Sequence, residues 1–143
     1  MKPNVLLTIA SLLSILLLTF HLSDDIIRGM EKGGLSNLIA VPILVVWLYG
    51  TLVLAERRSG YVIILVGSLL GLCVPVVHMK GAGVGAVVAK APSGGFFFVW
   101  TMIALGVTAL IASTGTVAWW VMPPTVLALL ALSLHREIGR AHV

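Results

Sequence analysis

Two histidines and two aspartates are the residues here whose types and spacing could do chemistry. His21, Asp24 and Asp25 lie in the segment His21 to Gly34, HLSDDIIRGMEKGG, the longest polar interruption in an apolar sequence. That segment holds three of the five acidic residues: Asp24, Asp25 and Glu31. At helical spacing His21, Asp24, Asp25, Arg28 and Lys32 fall at i, i+3, i+4, i+7 and i+11, so they share one face. His78 closes a later apolar run. Two histidines and a carboxylate are a ligand set for zinc or non-haem iron. The expected site therefore takes His21 and His78 as ligands of a divalent metal, Asp24 or Asp25 as carboxylate, and Arg28 to orient an anion. Against it stands a plainer arrangement, in which histidines at a membrane boundary reach toward headgroups while the acids solvate a helix end.

What must position these residues is a set of membrane helices. Of 143 residues 59% are apolar and 10% charged, where soluble domains carry roughly a quarter charged. Charge-free windows run over 3–20, 35–55, 59–77 and 91–134. The first three are each long enough for one spanning helix and the last for two. Backbone groups in lipid must be satisfied internally, so the spans are expected to be helical; the alternation of a membrane β-barrel is missing. The fold expected is all-α, an integral membrane bundle of four helices and a fifth. Its single domain covers 1–135, with helices over about 4–22, 37–55, 61–78, 96–112 and 117–135.

Local signals refine those limits. Helix 1 is expected to continue past the membrane toward Lys32, with Gly33-Gly34 as its stop. Ser36 or Asn37 can cap helix 2, Pro42 suits its first turns, and Trp47 and Tyr49 are expected to pack. The turn Glu56-Arg57-Arg58-Ser59-Gly60 makes helices 2 and 3 antiparallel neighbours. Gly67 and Gly71 have the spacing that lets helices approach closely, and Pro75 falls in the last turn of helix 3. Residues 80–95 read as a solvated glycine-rich loop; no strand precedes Gly81, Gly83 and Gly85 and no P-loop follows. Phe96-Phe97-Phe98 and Trp100 open helix 4 at the interface, and Ser113-Thr114-Gly115-Thr116 reads as a turn before helix 5. Helices 1 and 3 then run the same way, which brings His21 and His78 to one face of the membrane.

Other classes are disfavoured. The net charge of +4 is spread thinly, with no basic run beyond Arg57-Arg58, so no nucleic-acid surface is expected. Cys73 stands alone, which rules out an internal disulfide or CxxC pair. No serine, cysteine or lysine sits near a base, so catalytic residues are not expected. The five expected spans hold no Asp, Glu, Lys or Arg, which argues against an ion-coupled transporter. Lys2 before an apolar core has no small-x-small cleavage site after it, so it reads as an uncleaved first span. Lys2, Arg57 and Arg58 lie close to membrane ends, which places the N-terminus in the cytoplasm. At the other end, Ile138 to Val143, IGRAHV, is what the sequencing adapter ATCGGAAGAGCACACGTC encodes in one frame. Residues 136–143 are therefore expected to be a non-native tail, an expectation that finding those codons in the genome would defeat.

The segments TFHLSDDIIRG, VVWLYGTLVLAERRSGY, VPVVHMKGAG and FFFVWTMIALG resemble small bacterial multi-pass membrane proteins of about four helices with no assigned activity. The resemblance covers roughly 19–112 and implies a bacterial inner-membrane location. Two functions stay open: a non-enzymatic membrane subunit, packing against lipid, against a second copy or against a membrane partner, or a site-bearing protein, a metal-dependent membrane enzyme or small-solute permease using the His21, Asp24, Asp25 and His78 mouth.

Overall fold

A computed structural model describes residues 3–29, 31–80, 92–121 and 126. Four long helices account for nearly all of them: α1 over Pro3–Ile27, α2 over Ala40–Leu52, α3 over Arg58–Lys80 and α4 over Pro92–Val121. A 3-10 turn, Leu35–Ile39, leads into α2. No strand occurs among the described residues. With that turn counted into α2, each helix is long and apolar enough to cross a membrane. Leu, Val, Ile and Ala fill them, and Thr and Ser are tolerated because their hydroxyls bond carbonyls of their own helix or polar groups on a neighbouring one.

α1 ends at Ile27, short of the stop at Gly33-Gly34 that the polar stripe suggests. Gly29 has φ +68, a left-handed conformation that only glycine adopts without cost and that terminates helices. The Arg28 amide still donates to the Asp24 carbonyl at 2.9 Å, and the Gly29 amide to Ile26 at 3.0 Å. The start of the second helical segment is set from within by Asn37: its Oδ1 accepts the Gly34 N–H at 3.1 Å. Between α2 and α3, Glu56 takes φ +69, and its carboxylate accepts the Asn4 side-chain amide at 2.9 Å. The Tyr61 hydroxyl donates to Asn4 Oδ1 at 3.2 Å and its ring stacks on Trp119 at 4.1 Å. The starts of α1 and α3 and the end of α4 thus share one end of the bundle, as chain parity requires.

The turn expected at Ser113-Thr114-Gly115-Thr116 is instead uninterrupted helix. Hydroxyls mark turns in water because they compete for backbone groups; here they serve their own helix. Ser113 and Thr114 donate to the Leu110 carbonyl at 3.0 and 2.8 Å, and Thr116 donates to Ser113 at 2.7 Å. Helix 4 therefore takes in Val117–Val121, the opening residues of the expected fifth helix, and the remainder of that helix and the tail lie outside the described residues apart from Val126. The expected loop is shorter as well: Lys80 belongs to α3 and Pro92 to Gly95 belong to α4. Lys90 and the three loop glycines lie outside the described residues.

α4 packs along both α1 and α3, while α2 lies against α3 and, less extensively, α1. Polar residues tie these faces together. Trp47 is buried and donates from Nε1 to Ser11 Oγ at 2.9 Å. Ser11 and Thr51 hydroxyls are 2.7 Å apart, and Thr51 donates to the Trp47 carbonyl at 2.9 Å. Each hydroxyl has one proton. Thr51 spends its own on the carbonyl, so Ser11 must donate to Thr51 while accepting from Trp47. The chain of bonds leaves Trp47 at its indole and returns at its carbonyl, fixing α2 on α1. Ser14 makes the matching bridge to Thr108 on α4 at 3.0 Å. Tyr49, expected to pack, is 51% exposed; it sits two residues from Trp47 and therefore on another side of the helix. Ser11→Ala should orphan the Trp47 N–H and lower stability by about 1–2 kcal/mol, as buried and intramembrane hydrogen bonds do. Equilibrium unfolding of detergent-purified variants reads this, with Thr8→Ala, whose hydroxyl bonds only the Asn4 carbonyl at 2.9 Å, as the near-neutral comparison.

Candidate metal site

At the opposite end, α1 and α3 finish side by side and α4 begins. His21, four residues ahead of Asp25, lies one turn below it on the same face of α1. That face is the one carrying Leu7, Ser11 and Ser14 into the bundle. His78 comes from the last turns of α3. Donor atoms of His21, Asp25 and His78 all lie within 4.8 Å of one another. Asp25 Oδ2 is 3.4 Å from His21 Nε2 and 3.6 Å from His78 Nε2. The two imidazoles meet edge to face at 4.7 Å between centroids.

Burial makes this grouping more than a surface coincidence. His21 is 1% and Asp25 5% exposed, and His78 is partly covered. Among the described residues, neither ring nitrogen of His21 has a hydrogen-bond partner, and neither does Asp25 Oδ1. Buried polar atoms without partners cost on the order of 1–3 kcal/mol each. A sphere of donors that leaves them bare is suited to a cation. His78 is oriented for it: Nδ1 is 2.9 Å from the Val74 carbonyl, which can only accept, so Nδ1 carries a proton and Nε2, on the Asp25 side of the ring, is the atom placed to act as ligand. Backbone carbonyls hold metal-binding histidines in this way.

Of the two candidate carboxylates only Asp25 is in the cluster. Asp24, 100° around the helix, is turned to Arg28 and accepts from its Nε at 2.6 Å. Arg28, expected to orient an anion, is engaged by that carboxylate, whose hydrogen bond raises the guanidinium pKa above its ordinary value. Because the Asp24–Arg28 pair is local, one turn apart on α1, and only partly buried, Asp24→Asn should change stability by about 1 kcal/mol and leave metal content unaltered. Loss of metal in that variant, by elemental mass spectrometry, would put Asp24 back among the ligands.

Phe98 is the member that the sequence reading misses. Expected at a membrane boundary with its neighbours, it is fully buried and packs on both imidazoles, 5.3 Å from His21 and 5.6 Å from His78. Phe96 and Trp100 do lie outside, stacked at 6.4 Å. The signal was available: Phe98, Thr101, Met102, Leu105, Ala109 and Ala112 repeat at three and four residues along the buried face of α4, and Phe98 begins it.

Comparison with known proteins adds no identity to this geometry. No protein-family model, curated protein or solved structure matches the chain.

Proposed function

We propose that the chain is a multi-pass integral membrane protein that binds a divalent transition metal through His21, Asp25 and His78. The convergence of these three donor sets from two helices, with His21 buried and both its ring nitrogens without a hydrogen-bond partner among the described residues, carries the reading. Imidazole and carboxylate together suit zinc or iron better than magnesium or calcium, which take oxygen ligands. The four long apolar helices support a bilayer location. Arg57 and Arg58, at the start of α3 on the far side, and Lys2 ahead of the first apolar run in the sequence support a cytoplasmic N-terminus in a bacterial inner membrane; the metal end then faces out of the cytoplasm.

Elemental mass spectrometry of detergent-purified protein tests this. Close to one equivalent of zinc, iron or manganese per chain is the expected result. No metal after growth in supplemented medium would refute it and favour the alternative, a membrane subunit that only packs against itself or a partner.

A further inference from the structure

Among the described residues the donor set is incomplete in a particular way. Three protein ligands converge, and no other His, Cys, Asp or Glu among the described residues joins them. Asp24 is withdrawn by Arg28. The sequence stretch 81–91, GAGVGAVVAKA, contains none of these residue types. Structural zinc sites close with four protein ligands, whereas sites that act on something keep three and leave a position for an exchangeable one. Two histidines and one carboxylate on iron do the same.

Charge decides what enters that position. A divalent cation with one carboxylate and two neutral imidazoles carries a net +1. Phe98 walls the α4 side of the cluster with hydrocarbon, and His21 and Asp25 are almost wholly buried. An unbalanced charge in such surroundings is costly. A neutral fourth ligand leaves that charge standing; an anion removes it. We propose that the metal held by His21, Asp25 and His78 keeps an exchangeable position that takes a small anion, hydroxide or a carboxylate, so that this end of the bundle works as a Lewis-acid centre. This rests on the metal reading above, and the test separates the two.

Cobalt(II) serves as the probe because its visible bands report coordination. Full-length protein in detergent is loaded with Co2+, freed of excess metal and titrated with acetate and, separately, azide. The expected result is bands of bound Co2+ that shift saturably with each anion, with both bands and shift lost in His78→Ala. Bands that form but do not respond to either anion would mean a closed coordination sphere and would overturn the proposal while leaving the metal site standing. Absence of bound Co2+ would overturn both.

Discussion

Asp25→Asn and His78→Ala should each strip the metal from the protein, and Asp25→Asn should do so without weakening the fold. Altering partners that only orient a ligand weakens metal binding by about 10–100-fold, so removing a ligand should exceed that and leave near-zero metal per chain after dialysis. The isosteric amide is the more telling variant. Asp25 is 5% exposed, and its Oδ1 has no hydrogen-bond partner among the described residues. A buried carboxylate is held there at a desolvation cost, so a neutral amide of the same shape relieves the apo form while removing the anionic ligand. A merely structural Asp25 predicts the reverse, a loss of stability from breaking its contacts with His21 and His78. Metal stoichiometry and unfolding of the metal-free protein, measured on the same preparation, separate these cases. His21→Ala should also abolish metal, but it leaves a hole against Phe98, so its stability loss says little about the site. Metal retained at wild-type stoichiometry in both Asp25→Asn and His78→Ala would end the metal reading.

How much of this end was legible beforehand follows from which features depend on counting and which on rotation. Helix parity requires only that the hydrophobic runs be counted correctly, and it places His21 and His78 together. Choosing between Asp24 and Asp25 requires the rotation of α1. That information lies in Ser11 and Ser14, because small polar residues in an apolar helix mark the face against other helices; Asp25 continues that line and Asp24 leaves it. The polar stripe over His21 to Lys32 misled because it assumed one helix throughout, when Gly29 breaks the register after Arg28. The false turn at Ser113 to Thr116 has the same root. Residues that signal a turn in water lose that meaning where their hydroxyls bond the preceding carbonyls of their own helix. It also follows that Asp25 lies inside the first apolar span, Asn4–Ile27, although the membrane-crossing part expected of helix 1, 4–22, ended before it. An acid within such a span is a functional candidate by default, a ground for singling out Asp24 and Asp25 that the boundary at 22 did not offer.

The helix-packing half of the molecule makes its own sharp prediction, in which Gly67 and Gly71 behave very differently despite sharing one motif. A Cβ on Gly67 would overlap the Trp47 indole, whereas one on Gly71 would meet Ala109 Cβ at 3.3 Å and Leu105 at 3.5 Å. Trp47 cannot swing aside cheaply, since it is 2% exposed and its Nε1 is committed to Ser11. Gly67→Ala should therefore combine overpacking, about 1–3 kcal/mol, with loss of the indole hydrogen bond, about 1 kcal/mol, and Gly67→Leu should prevent the α2–α3 contact. At Gly71 the neighbours need to yield only a few tenths of an ångström. The gain of up to about 1 kcal/mol in helix propensity from glycine to alanine should bring Gly71→Ala close to neutral. Equilibrium unfolding in detergent distinguishes the two, and equal destabilisation at both positions would show that the spacing, and not the Trp47 contact, is what matters. A second step isolates the contact itself. Trp47→Leu should be destabilising alone, yet combined with Gly67→Ala the loss should fall short of the sum, because the smaller side chain vacates the volume that the new methyl needs.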